Sequence, residues 1–111
     1  MPPTPFESSF RALADETRRE ILKLLRDGPR TSGEIAASFS SSWPTISRHL
    51  ALLKDGGLVL TERKGQEIYY ELNTSVFQDL VQHLLDWVTP ATAPRKAAAS
   101  ARARSAKRRE V

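Results

Sequence analysis

The stretch T-S-G-E-I-A-A-S-F-S-S-S-W-P-T-I-S-R-H-L-A-L-L-K-D, Thr31 to Asp55, decides the fold. It reads as two short helices joined by a tight polar turn. Glu34 follows Thr31 at capping-box spacing, so each side chain satisfies a backbone N–H that the first helix turn leaves open. Ile35, Ala36 and Phe39 face inward on that helix. Ser40-Ser41-Ser42 makes the turn, and Ser42 caps a second helix over residues 43–55. Pro44 falls in its first turn, where a missing N–H costs little. Gly56-Gly57 closes it.

A helical wheel divides the second helix. With Ile46 at zero and about 100° per residue, Leu50 and Leu53 fall beside it and mark the core side. The opposite arc holds Pro44, Arg48 and Ala51, flanked by Thr45 and Ser47. Such a surface suits the major groove of duplex DNA. Arginine forks onto guanine O6 and N7, hydroxyls exchange hydrogen bonds with bases or phosphates, and Ala51 leaves room for the groove wall. Taken alone, this is also the pattern of an ordinary surface helix with one arginine. The preceding brace helix and a basic hairpin after it favour a helix-turn-helix.

Working outward, Phe6, Phe10 and Leu13 recur at i, i+4, i+7 and predict a short amphipathic first helix. Asp15 is placed to cap a second helix over 16–26, with Ile21, Leu22, Leu24 and Leu25 on its apolar face and Gly28-Pro29 ending it. Beyond Gly57, residues 58–62 and 67–72 are rich in strand formers, and Ile68, Tyr70 and Leu72 alternate on one face. Arg63-Lys64-Gly65-Gln66 forms the hairpin tip, where Arg63, Lys64 and Gln66 reach phosphates or the minor groove. Without the neighbouring motif, the same tip is a solvated turn. A last helix is expected over 75–88. The fold class is therefore mainly α with a small β-hairpin, a winged helix-turn-helix over residues 1–89.

The last helix carries Val76, Phe77, Leu80, Val81, Leu84, Leu85, Trp87 and Val88, more apolar residues than one core-facing stripe requires. The excess predicts a homodimer. Its interface is expected to use Phe6 and Phe10 of the first helix with Val76, Phe77, Leu80, Leu84, Trp87 and Val88 of the last. Phe77 and Trp87 are read as dimer core rather than as an effector pocket.

The chain of 111 residues carries a net charge of +4, unevenly placed. Residues 90–111 hold seven Lys/Arg and one acid, so they contribute +6 and leave −2 to residues 1–89. The DNA-binding reading thus rests on the motif and not on net charge. The stretch 90–111, built of Ala, Arg, Ser, Lys and Pro, reads as a basic disordered tail. It either lies along phosphates or serves only solubility. There is no cysteine, which removes disulfides, thiol nucleophiles and thiolate metal sites. No long apolar run spans a membrane, and Met1 to Phe10 lacks the pattern of a signal peptide. The expected location is the cytoplasm, on the nucleoid.

Three segments carry a family resemblance. F-R-A-L-A-D-E-T-R-R-E-I-L-K-L-L (10–25), P-T-I-S-R-H-L-A-L-L-K-D-G-G-L-V (44–59) and R-K-G-Q-E-I-Y-Y-E-L (63–72) together resemble the arsenical-resistance repressor (ArsR) family across residues 5–88. L-N-T-S-V-F-Q-D-L (72–80) is similar to its autorepressor branch. The resemblance implies a winged-helix homodimer that binds an inverted-repeat operator and represses transcription, with the first and last helices at the interface. It also implies groove contacts from Trp43, Pro44, Ser47 and Arg48. Trp43 departs from the family pattern, where a polar residue is usual.

Many such relatives sense metals. Thr31 to Phe39, which matches their helix-three sites, has no cysteine here. In the last helix Asp79, His83 and Asp86 share one face at i, i+4, i+7, but zinc favours more nitrogen or sulfur than they offer. The expectation is no metal and no cofactor, with these residues a solvated polar face. His49 beside the reading arc is taken as a packing or phosphate-side residue. Catalysis is not expected: there is no phosphate-binding glycine loop, no nucleophile elbow and no paired carboxylates beside a cleft. Two other readings remain. One is a repressor responding to a small-molecule inducer. The other is a winged helix that binds protein, which would show more apolar residues where Ser47 and Arg48 stand.

Overall fold

In the computed structural model, which describes residues 6–90, the most deeply buried side chains come from distant parts of the sequence. Ile21, Ile35, Ile46, Leu53 and Leu58 are all sealed from solvent, and Ala12, Leu22, Leu25, Leu50, Val59 and Leu80 complete the core around them. The elements that deliver them are α1 (Glu7–Leu13), α2 (Glu16–Leu25), β1 (Arg30–Thr31), α3 (Ser32–Ala37), α4 (Trp43–Asp55), β2 (Val59–Lys64), β3 (Glu67–Leu72) and α5 (Thr74–Val88).

Local chemistry sets most boundaries. The Asp15 carboxylate accepts from the backbone N–H of Arg18 at 3.0 Å and starts α2. The Thr31–Glu34 capping box is complete, with both reciprocal bonds at 3.1 Å. Ser42 is the N-cap of α4, but its hydroxyl does not bond the backbone as expected. It pairs instead with the Thr45 hydroxyl at 2.9 Å. Helix α2 ends at Leu25, one residue early, and Gly28 follows with φ +135°.

The sheet has three strands rather than two, in the order β1-β3-β2, all antiparallel. Strand β1 pairs Arg30 with Tyr70 and Thr31 with Tyr69. A two-residue strand has no alternation to read, and Thr31 doubles as the α3 cap, so β1 left no pattern in the sequence. In β3, Tyr70 and Leu72 pack on the core, whereas Ile68 lies beyond its edge and is exposed.

The Gly56-Gly57 pair has two separate duties. Gly57 adopts φ +73°, which permits the turn out of α4. Gly56 has an ordinary φ, but a Cβ there would meet the Ser8 carbonyl oxygen at 2.9 Å and the Cα of Ser9 at 3.2 Å. Helix α1 thus crosses directly over the end of α4, and the buried Ser9 hydroxyl donates to the Gly56 carbonyl. Asn73 then ties the β3–α5 junction to this turn through its amide, which donates to the Gly57 carbonyl at 3.0 Å.

The chain divides into two compact units at Leu80. The first holds every element from α1 to β3 and the start of α5. The described part of the second is the remainder of α5, whose Val81, Leu84, Leu85, Trp87 and Val88 are exposed.

Candidate nucleic-acid interface

Helix α4 presents the two faces that its wheel demands. Ile46, Leu50 and Leu53 are buried, while Trp43, Pro44, Thr45, Ser47, Arg48 and Ala51 are all exposed. Trp43 stands 54% exposed at the first turn, a large aromatic surface that the protomer leaves uncovered. Helix α3 braces α4, and β2 packs on it from the other end.

A polar network fixes the flank of α4 against the α1–α2 corner. Arg18 donates through Nε to the Ala12 carbonyl at 2.7 Å and through Nη2 to the Arg11 carbonyl at 3.1 Å, closing the open end of α1. Its Nη1 lies 3.3 Å from His49 Nδ1, and the Asp15 carboxylate is 3.9 Å from the same nitrogen. His49 is only 15% exposed and points into this corner, a packing residue rather than part of the reading arc. The backbone N–H of Arg18 holds the Asp15 carboxyl below its ordinary range, opposed by desolvation and assisted by the charges of His49 and Arg18. The Glu34 carboxyl is also lowered, first by the Thr31 backbone N–H and then by the Thr31 hydroxyl.

The wing is tighter than the sequence suggested. Lys64 pairs with Glu67 across the strands, leaving a two-residue tip of Gly65 and Gln66. Gly65 takes φ +66°, the positive value that a two-residue hairpin of type II′ needs first. Arg63, Lys64 and Gln66 are exposed there. Lys64 Nζ sits 5.2 Å from the centre of the Tyr69 ring, a cation–π contact that positions the ammonium without neutralising it. Desolvation raises the half-buried Tyr70 phenol, which stays neutral.

Charge compensation varies over the surface. Arg11, Lys23 and Arg30 pair with Glu7, Glu20 and Glu34, each three or four residues away. Among the described residues, Arg48 has neither an ion-pair nor a hydrogen-bond partner, and no carboxylate pairs with Arg63 or Lys64. Cations left open in this way are available to phosphates or base edges.

The residues expected at a dimer interface divide into three groups. Phe6, Phe10, Val76 and Phe77 are half-buried against the protomer's own core. Leu80 is a correction. It is 2% exposed and belongs to that core, so it offers no surface to a partner. Leu84, Trp87 and Val88 are exposed, and so are Val81 and Leu85, which the interface reading passed over. Val81, Leu84, Leu85 and Val88 form an i, i+3, i+4, i+7 stripe. In the same segment the His83 and Trp87 rings meet edge-on at 5.4 Å, and the Gln82 amide donates to Asp86 at 3.0 Å. Among the described residues no cluster of three or more His, Asp or Glu gathers closely enough to hold a metal ion. No helix among them is long and apolar enough to cross a membrane. The tail, 90–111, lies outside the described residues except for Pro90.

Comparison with known proteins agrees with this geometry. Residues 15–61, from the α2 cap through α4 into β2, match the model of the bacterial regulatory protein arsR family. The chain is 48% identical over 79 residues to the transcriptional repressor SdpR of Bacillus subtilis, covering 71% of this chain and 88% of that protein. It is 37% identical over 89 residues to the arsenic resistance transcriptional regulator ArsR1 of Pseudomonas putida, covering 73% and 70%. Among solved structures, it is similar to the homodimeric winged helix-turn-helix DNA-binding domain of a possible ArsR-family regulator from Mycobacterium bovis. That match has a TM-score of 0.61 and 34% identity, covering 74% of this chain and 79% of that one.

Proposed function

The chain belongs to the arsR family of bacterial regulatory proteins, a family of DNA-binding regulators and not of enzymes, and from that premise we propose that it represses transcription as a homodimer on an inverted-repeat operator. The observation that carries this reading is the exposed polar arc of α4. Arg48 stands open at its centre with Ser47 on its flank, and Arg48 is uncompensated. A protein-docking winged helix would place apolar groups there. In the proposed complex Trp43, Pro44, Thr45, Ser47 and Arg48 face the major groove, while Arg63, Lys64 and Gln66 of the wing hold flanking phosphates or the minor groove.

The exposed stripe Val81, Leu84, Leu85 and Val88, with Trp87 beside it, supports two-fold association with α1. Two-fold symmetry sets two α4 helices on successive turns of one duplex face, about 34–36 Å apart. The folded domain, 1–89, performs this, and the basic tail adds sequence-independent affinity. It acts on the chromosome in the cytoplasm.

We also propose that DNA binding is independent of metal. The absence of cysteine and the single histidine in α5 support that reading. Genome-wide mapping of bound sites tests the proposal. A recurrent palindrome is the expected result, and bound sites sharing only a single half-site would overturn the dimer. Titrating zinc against the mapped operator completes the test: unchanged affinity is expected, and a saturable effect lost in His83→Ala would overturn metal independence.

A further inference from the structure

A groove of about 360 Å³ opens among α1, α2, the end of β3 and the start of α5. Its floor is apolar, made by Leu13, Leu22, Leu72 and Phe77. Its volume lies at the small end of the range for ligand pockets. One lip is cationic. Arg19, Lys23 and Arg26 line it at i, i+4, i+7 along a single face of α2.

These cations differ in what they already hold. Lys23 pairs with Glu20 at 3.2 Å in an exposed contact. Arg19 donates to the Leu13 carbonyl at 2.7 Å, which leaves its charge uncompensated. Arg26 has no side-chain partner among the described residues. Cations in the second half of a helix also complement its dipole, and that accounts for a positive charge at Arg26. It does not account for an apolar trough beside the row.

We propose that this groove binds a small apolar carboxylate, its hydrocarbon body on the Leu22–Phe77 floor and its carboxylate forked by Arg26. Charge complementarity selects this occupant. The basic stretch 90–111 has the wrong sign to lie beneath three cations. A neutral apolar molecule would use the floor but leave the lip unanswered. Phe77, which the sequence assigns to the dimer core, is here part of the floor of the site. The ligand would sit against the start of α5, the helix that bears the exposed stripe. Its regulatory meaning rests on the proposed function; its binding does not.

Calorimetry on the full chain without DNA therefore tests the site separately. The probes are decanoate, 1-decanol and acetate, below micellar concentrations. Saturable decanoate binding at one per chain is expected, with decanol about tenfold weaker and acetate not detected, as an arginine–carboxylate bond contributes about one order of magnitude or more. Arg26→Gln should remove most of the decanoate advantage and leave decanol unchanged. Thr74→Phe, at the exposed mouth, should block both without excavating the core. Absence of saturable decanoate binding would overturn the proposal. So would equal affinity for decanoate and decanol, or an Arg26→Gln variant that binds decanoate as the native chain does. A mapped operator then reports whether decanoate alters DNA affinity, which bears on the regulatory role alone.

Discussion

Helices α4 and α5 are both amphipathic, but they differ in what lies opposite their buried residues. Around α4, burial of Ile46, Leu50 and Leu53 leaves a polar arc with an unpaired arginine. Around α5, burial of Leu80 leaves the aliphatic stripe Val81, Leu84, Leu85 and Val88. A polar outer face is content in water and selects a polar surface such as DNA. An aliphatic one is covered by another apolar surface at a gain of roughly 25 cal/mol per Å². One helix is thus suited to reading and the other to pairing.

The largest expected effect comes from breaking the α5 side. Leu84→Asp sets a charge in the exposed stripe without entering the protomer core. The variant should remain folded by circular dichroism yet sediment as a monomer. Operator affinity should fall by about 10²–10⁴-fold, because the second half-site no longer benefits from linkage to the first. A native chain that is monomeric at micromolar concentration would remove the contrast altogether.

The inner side of α4 comes next. Ile46→Ala should cost about 2–5 kcal/mol of stability in urea unfolding, through lost burial and the cavity left behind. Gly56→Ala should cost about 1–3 kcal/mol, because its new methyl group meets the α1 backbone. Ala51→Ser, on the exposed arc, should leave stability within about 0.5 kcal/mol. If Ala51→Ser proved as damaging as Ile46→Ala, the assignment of faces on α4 would be wrong.

These positions show what the sequence makes legible. Periodicity around Ile46 and the Thr31–Glu34 spacing are local, and they located α4 and the start of α3, whereas Phe39, read as part of α3, lies beyond its end at Ala37. The role of Gly56 is tertiary: its neighbours Ser8 and Ser9 lie far back in the chain, and no local pattern announces them. Leu80 was misassigned for a related reason. A helix apolar on more than one side does not tell which stripe enters the protomer core and which stays exposed. The cationic row of α2 carries no signal of its own in the sequence, because arginines on a surface helix are ordinary until a groove lies beside them. The exposed arc of α4 was legible because it lies opposite the Ile46, Leu50 and Leu53 stripe.

The outer arc and the wing are separated by smaller effects. Arg48→Ala should lose about 1–3 kcal/mol on the operator, concentrated at one base position per half-site, if the guanidinium forks onto guanine. Lys64→Ala should weaken all sequences alike and lower the slope of log affinity against log salt by about one. Selection from random duplexes at two salt concentrations measures both. An Arg48→Ala loss as sequence-blind as that of Lys64→Ala would move Arg48 from base reading to phosphate holding.

The smallest effect concerns how α4 is secured. Asp15 caps α2 and faces Arg18 and His49 at the flank of α4, and its carboxyl is held below its ordinary value of 3.8. A carboxyl that ionises more readily folded than unfolded stabilises the fold fully above the unfolded value. That contribution disappears as pH falls through the lower folded value. Asp15→Asn keeps a good N-cap, since an asparagine oxygen also accepts from the Arg18 N–H, and so isolates the charge. The variant should be slightly less stable than the native chain at neutral pH, by less than the core substitutions because the side chain is 38% exposed. The two unfolding curves should converge below pH 3.8, where the native carboxyl also takes up its proton. The aliphatic stripe of α5 has no titrating group of its own, so this carboxyl should affect protomer unfolding and leave dimer dissociation untouched. A stability gap between the two chains that persisted unchanged into acid would show that Asp15 acts by shape alone, and that α4 is held at this flank without help from charge.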